Sequence, residues 1–94
     1  MPVRPRFALG YTVIKPKALK MLTPEEVIAV LGSHVVGEWG EVGQTVFAAN
    51  EEAVENDEPV VSAYRSPSAD TRFYVMTSAD RSVTTVFLPD EVKL

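Results

Sequence analysis

The chain contains no cysteine among its 94 residues. Structural disulfides, thiolate-bound zinc, iron–sulfur clusters and thiol catalysis are therefore excluded, and the reducing cytoplasm is the expected location. The sequence also has a single histidine and no aspartate-rich calcium loop. We therefore expect neither a metal site nor a bound cofactor.

Long hydrophobic runs are absent as well. No apolar stretch approaches the roughly 18 residues that a membrane helix needs, so no membrane partner is expected. The apolar content is 46% and the charged content 23%, which is typical of a globular domain. We predict a flexible tail over residues 1–6, because two closely spaced prolines oppose helix and strand, and one domain over residues 7–94.

Charge is unevenly distributed along the chain. Residues 1–20 carry five basic and no acidic side chains, whereas residues 38–58 carry seven acidic and no basic ones. Such an asymmetry either solvates two faces of a domain or steers a charged partner towards one of them.

Start and stop residues predict the helices. Pro16 suits the first turn of a short helix over residues 17–22. Thr23 as N-cap, Pro24 and a capping-box Glu26 predict a second helix that ends near residue 36. A third helix is predicted over residues 44–56, because Pro59 stops it. The apolar faces of the two longer helices are predicted to contain Val27, Ile28, Val30, Leu31 and Val35, and Val46, Phe47, Ala49, Ala53 and Val54.

Strand character occurs over residues 7–14 and again in series over 60–65, 72–78 and 82–88. The link at residues 79–81 is short enough for a hairpin, although one bulged strand over 72–88 is an alternative. The pattern predicts one α+β domain, with a three- to four-stranded antiparallel sheet and two main helices packed on one face.

Two polar residues lie on predicted apolar helix faces. His34 falls within the apolar arc of the second helix, and Asn50 falls between Val46 and Val54 on the third. Each is either a hydrogen-bonded core residue or part of a site. A catalytic interpretation combines His34 as acid or base with Arg65, Arg81 and Thr84 around a phosphate, as in a small RNase or nucleotide-processing enzyme.

A binding surface is the other interpretation. Trp39 lies in a glycine-rich loop and either caps the core or anchors a partner. The acidic residues near it are Glu41, Glu51, Glu52 and Glu55, and none of the carboxylates at 51, 52 and 55 has a basic residue at the stabilising i+4 spacing. They form a solvated face or imitate a row of nucleic-acid phosphates.

The chain also resembles a family of small, uncharacterised bacterial proteins carried on plasmids and other mobile elements. The matching segments are Gly37–Gly40, Asn50–Glu51, Ser62–Arg65 and Thr77–Thr85, with Ser78 where that family more often has glutamate. The resemblance covers roughly residues 18–90. It implies an accessory role in a mobile element, acting on host defence or nucleic-acid machinery.

Two functional hypotheses follow. The first is a non-enzymatic binding module that inhibits a host nucleic-acid-targeting defence complex, of the anti-restriction or anti-CRISPR type. The second is the small RNase or nucleotide-processing enzyme described above. A host protein complex is the expected partner, nucleic acid is an alternative partner, and a homodimer formed through a sheet edge is a further hypothesis.

Overall fold

The computed structural model describes residues 4–91, which form three helices and four strands. In chain order they are β1 (Tyr11–Ile14), α1 (Pro16–Met21), α2 (Pro24–Val35), α3 (Gln44–Asn56), β2 (Val60–Ser66), β3 (Thr71–Thr77) and β4 (Val83–Phe87), followed by a short 3-10 helix (Pro89–Glu91). β3 and β4 are separate strands, so the alternative of one bulged strand is wrong.

The strands form one mixed sheet in the order β1-β4-β3-β2. β2, β3 and β4 are antiparallel neighbours, whereas β1 is parallel to β4, with Tyr11 opposite Val83. The predicted α+β fold is therefore confirmed, but the prediction of a purely antiparallel sheet is wrong for β1. Parallel pairing needs a crossover connection, and the three helices and two strands between β1 and β4 supply one.

The N-terminus of α2 is fixed by the predicted capping box. Thr23 Oγ1 accepts from the backbone N–H of Glu26 at 3.1 Å, and Glu26 Oε1 accepts from the Thr23 N–H at 2.8 Å. Glu26 also accepts from the hydroxyl groups of Ser66 and Ser68. These bonds, the one from Ser66 foremost, lower the pKa of Glu26 to about 2. The cap therefore also joins α2 to the turn after β2.

All three helices pack on one face of the sheet, where the core lies. Its main cluster is formed by buried apolar residues from α1, α2, β3, β4 and their flanks: Ala18, Leu22, Val27, Phe73, Val75, Val86 and Leu88. A second cluster of Trp39, Ala53 and Val60 lies under α3. The predicted packing of the main helices on a single face is confirmed.

Several predicted core positions are exposed. Ile28 is 71% exposed, and Val46, Phe47 and Ala49 are exposed along the first turns of α3. The buried residues of α3 are Asn50 and Ala53, because only the second half of this helix covers β2. The apolar-face prediction was wrong for these four residues, since periodicity does not reveal how far a helix extends past the sheet.

The opposite face of the sheet carries no helix within residues 4–91, and we call it the open face. The strand registers and side-chain alternation assign its residues. They are Tyr11, Val13 and the adjoining Lys15, then Val83, Thr85 and Phe87, then Arg72, Tyr74 and Met76, and finally Val61, Ala63 and Arg65.

Arg6 is attached to the helical layer. Its backbone N–H donates to the Val35 carbonyl at 2.8 Å, and its guanidinium forms two hydrogen bonds with the Glu51 carboxylate. Residues 1–3 lie outside the described residues, so the flexible tail proposed for residues 1–6 stays a prediction.

Candidate functional site

His34 occupies the centre of the helical face of the sheet and is fully buried. Its Nδ1 lies 2.5 Å from Ser62 Oγ on β2, and its Nε2 lies 2.8 Å from Thr77 Oγ1 on β3. Both ring nitrogens therefore have partners from the sheet. The imidazole joins α2 to two strands.

A chain of hydrogen bonds defines the tautomer of His34. Thr84 Oγ1 donates to the Leu9 carbonyl at 2.7 Å, since a carbonyl only accepts. Thr84 then accepts from Thr77, at 2.7 Å, and Thr77 in turn accepts from the N–H at His34 Nε2. The unprotonated Nδ1 accepts from the Ser62 hydroxyl. Every member of the chain is satisfied with a neutral imidazole.

Burial, and to a lesser extent the positive charge of Arg81, lowers the pKa of His34 to about 4. The imidazole is therefore uncharged near neutral pH. A general acid or base needs a pKa close to the working pH and access to the substrate. His34 has neither property in this arrangement.

Aromatic rings enclose the remaining edge of His34. Phe7 meets it edge-to-face with ring centroids 5.2 Å apart, and Trp39 does so at 5.7 Å. Phe7 and Trp39 stack on each other at 6.1 Å. These contacts close the imidazole off from solvent on the side away from the sheet.

Arg81 holds the C-terminal end of α3 in place. Its guanidinium donates to the carbonyl oxygens of Ala53 at 2.9 Å and Glu58 at 2.7 Å, and it lies 5.3 Å from the centroid of the Phe7 ring. The positive charge of Arg81 also interacts favourably with the negative, C-terminal end of the helix dipole.

The four residues of the catalytic interpretation do not converge on one pocket. Thr84 is joined to His34 through Thr77, but Arg81 is committed to α3 and Arg65 lies on the open face. Arg65 borders a cavity of about 350 Å³ between α2 and β2, whose walls include Val30, Tyr64 and Phe73. His34, Arg81 and Thr84 do not line that cavity.

Trp39 belongs to the interior, being only 1% exposed. Its indole N–H donates to Glu51 at 2.9 Å, and its carbonyl accepts from the Ala63 N–H at 3.0 Å. Of the two sequence interpretations of Trp39, the structure matches the core residue rather than the exposed anchor. Glu51 is half-buried between Trp39 and Arg6, and its hydrogen bond with Arg6 is the main cause of its lowered pKa.

The remaining predicted binding residues are exposed. Glu52 and Glu55 form no ion pair with any residue in the described range 4–91. Glu41 lies at the rim of the sheet, with its carboxylate 3.9 Å from Arg65 Nε. Sequence reasoning missed Phe47, which is 49% exposed one turn before Glu51. Its apolar character had assigned it to the core, and no local signal distinguishes the two outcomes.

Asn50 covers the free edge of β2. Its Nδ2 donates to the Val61 carbonyl at 2.7 Å, and its Oδ1 accepts from the Val61 N–H at 3.1 Å. The side-chain amide thus replaces one residue of a neighbouring strand. Further along the same edge, Ala63 pairs with the backbone of Trp39 and Glu41. Together these contacts satisfy an edge that otherwise invites pairing with another chain.

Asn50→Asp is expected to lower the free energy of unfolding by roughly 2 kcal/mol, because a carboxylate loses the donor and opposes the Val61 carbonyl. Urea unfolding at pH 7 measures the change. Asn56→Asp, at an exposed position of the same helix, is the matched control and should change stability by less than about 0.5 kcal/mol. Equal effects of the two variants would contradict the edge-covering role of Asn50.

Within residues 4–91, no group of three or more potential ligand side chains is arranged to hold a metal ion. In the same range, no helix is both long and apolar enough to cross a bilayer. Comparison of the chain with models of protein families, with curated proteins and with solved structures returns no significant match. The family resemblance noted from the sequence therefore stays a prediction.

Proposed function

We propose that the protein is a non-enzymatic binding module whose contact area lies on α3 and just beyond its end. We call this area the α3 surface, and it consists of Val46 and Phe47 in the first turn of α3, Glu52 and Glu55 in its second half, and Glu58 after its C-cap. The observation that carries the proposal is a half-exposed aromatic ring, Phe47, at the start of a helix whose later carboxylates Glu52 and Glu55 form no ion pair within residues 4–91. An apolar anchor rimmed by charge is the usual composition of a protein contact site.

The charge of the α3 surface indicates a basic partner. Glu52 and Glu55 are three residues apart on α3, which places them about 5 Å apart along the helix axis, and Glu58 follows just after the helix ends. A row of negative charges at this spacing suits a groove that is built to hold nucleic-acid phosphates. Long-range attraction to such a groove raises the rate of association, and burial of Phe47 slows dissociation.

The proposed partner is a host complex that targets nucleic acid, and the proposed effect is inhibition by occupying its nucleic-acid groove. The acidic charge of the α3 surface supports the proposal that the partner has a basic nucleic-acid groove. The resemblance to proteins of plasmids and mobile elements supports the proposal that the partner belongs to host defence. The engagement of both nitrogens of His34 within the core favours this binding module over the RNase alternative.

Plasmid establishment in cells with an active restriction or CRISPR system tests the proposal. Prior expression of the protein should raise the transformation efficiency of a targeted plasmid at least about tenfold for one such system, since occupying the groove of the complex blocks its access to the plasmid. Phe47→Ala and the double variant Glu52→Lys/Glu55→Lys should each remove most of that protection, because they remove the anchor or reverse the steering charge.

Matched controls separate the α3 surface from general effects. Ile28→Ala removes an exposed apolar side chain on α2, and Glu25→Lys/Glu38→Lys makes the same charge change elsewhere. Both should retain full protection. Loss of protection in the controls to the same extent as in the α3 variants, or the absence of protection against every system tried, would overturn the proposal.

A further inference from the structure

The open face has the composition of a platform for single-stranded nucleic acid, and we propose that it binds one. It carries the cationic residues Lys15, Arg65 and Arg72 and no acidic residue, although the whole chain has a net charge of −4. Its exposed apolar side chains include Tyr11, Val13 and Met76, and the ring of Tyr74 is half-buried. Cationic side chains pair with the phosphates of a nucleic-acid backbone, and aromatic side chains stack on its bases.

The positions of these residues on the sheet support the proposal. Arg65 and Arg72 are opposite each other on β2 and β3, and Tyr74 comes two residues after Arg72 on the same face. Lys15 continues the alternation of β1 at the same end of the sheet, since its N–H donates to the Val86 carbonyl. The cations therefore extend along one end of the sheet over three strand spacings, about 14 Å.

The ring of Tyr74 lies next to that basic end. Tyr74 packs against Phe87 of β4 with centroids 5.6 Å apart, which fixes the ring on the sheet. The Arg72 guanidinium lies over Tyr74, 5.6 Å from its centroid. A planar cation thus already lies against this ring, and a nucleobase is a planar group that stacks in the same way. Tyr11 is 84% exposed towards the other end of the face.

The carboxylates that compete with phosphates for these cations lie only at the rim of the open face. The carboxylates of Glu41 and Asp70 lie 3.9 and 3.8 Å from Arg65, and all three side chains are more than half exposed. Ion pairs of this kind contribute little, so a phosphate group displaces them readily. The α3 surface lies on the helical side of the sheet, so acidic and basic contacts are separated. Binding of nucleic acid to the open face therefore neither requires nor blocks the protein partner proposed for the α3 surface.

Fluorescence anisotropy with labelled 12-nucleotide oligo-dT and oligo-U tests the proposal on the whole chain. Binding is expected with a dissociation constant in the micromolar range at about 50 mM salt, weakening with a log–log salt slope near −2 for three phosphate contacts. A blunt duplex of the same length should bind at least about tenfold more weakly, because its bases are not available for stacking.

Variants of the open face separate stacking from charge. Tyr11→Ala, at the most exposed ring, should weaken binding about 5- to 30-fold. The triple variant Lys15→Gln/Arg65→Gln/Arg72→Gln should abolish it at these concentrations and remove the salt slope. Arg4→Gln/Lys17→Gln/Lys20→Gln removes the same charge outside the face and should retain binding within about threefold. Circular dichroism and light scattering on each variant report folding and oligomeric state.

Three results would overturn the proposal. One is the absence of oligonucleotide binding at about 100 μM protein and 50 mM salt, far above the range that three contacts predict. Another is equal loss of binding in the two triple variants, which would show that the net charge of the protein, and not the open face, causes the binding. The third is self-association that Tyr11→Ala abolishes, which would assign the open face to a second copy of the chain. Variants of the α3 surface should leave oligonucleotide binding intact, so the two proposals fail separately.

Discussion

Acidification from pH 6.5 to pH 4.5 is expected to lower the free energy of unfolding by roughly 2 to 3 kcal/mol through His34 alone. The folded-state pKa is about 4, and the unfolded imidazole titrates near 6.5. Between these values the unfolded chain binds the additional proton, so stability increases with pH. The contribution is complete above about pH 6.5 and is lost as the pH falls towards 4.

Urea unfolding at half-unit pH intervals measures this dependence. Glu26 and Asp80 begin to take up protons in the unfolded chain near the lower limit of pH 4.5, because their ordinary pKa values are 4.5 and 3.8 and their folded values are about 2. The His34→Gln variant measures their part separately. His34→Gln retains an amide donor for Thr77 but does not titrate. That variant should be less stable than the parent at pH 7, and its stability should depend much less on pH in this window, with only the contribution of the carboxylates remaining near pH 4.5. An unchanged slope in His34→Gln would exclude His34 as the cause.

Gly40→Ala is expected to destabilise the fold by about 3 kcal/mol or more, because strain and a steric clash act together. Gly40 has φ +75°, and a Cβ atom there would lie 2.1 Å from the Ala63 carbonyl oxygen. That oxygen belongs to the edge of β2 and accepts from Glu41. Relief of the clash therefore requires the segment around Trp39 to separate from the sheet.

Thermal unfolding and near-UV circular dichroism measure the effect of Gly40→Ala, and the dichroism also reports the environment of Trp39. Gly32→Ala is the matched control. Gly32 lies inside α2 and has open space at its Cβ position, so alanine there should stabilise the protein by about 0.5 to 1 kcal/mol. A Gly40→Ala variant as stable as the parent would contradict the close approach of this loop to β2.

Elements with strong local signals were predictable from the sequence. Thr23, Pro24 and Glu26 determine where α2 begins, and the hydrogen bonds that they form depend only on neighbouring residues. α3 was predicted with its observed limits, and β2, β3 and β4 were predicted to within one residue at each end. Turn and cap chemistry acts over a few residues, so the sequence is sufficient there.

Properties that depend on distant partners were not predictable in the same way. His34 and Asn50 were recognised as inward-facing, but the partners of His34, Ser62 and Thr77, lie 28 and 43 residues further along the chain. Val61, the partner of Asn50, lies on the strand that follows α3, and the position of that strand beside the helix depends on the tertiary fold. The parallel direction of β1 likewise depends on where the chain returns after the helices. Phe47 has the same helical periodicity as a core residue, and only the extent of the sheet leaves it in solvent.

The place of β1 beside β4 has a kinetic consequence. The hydrogen bond between Leu9 and Thr84 joins residues 75 positions apart, so we expect the first strand to dock after the last one has formed. Contacts of such separation close late, because the entropy of a long loop must be overcome first. In native-state hydrogen exchange, we expect the β1 amides to open more easily than those of β3, which has strands on both sides. Tyr11 and Lys15 would leave the sheet with that strand, and the open face would narrow reversibly while the rest of the fold stayed intact.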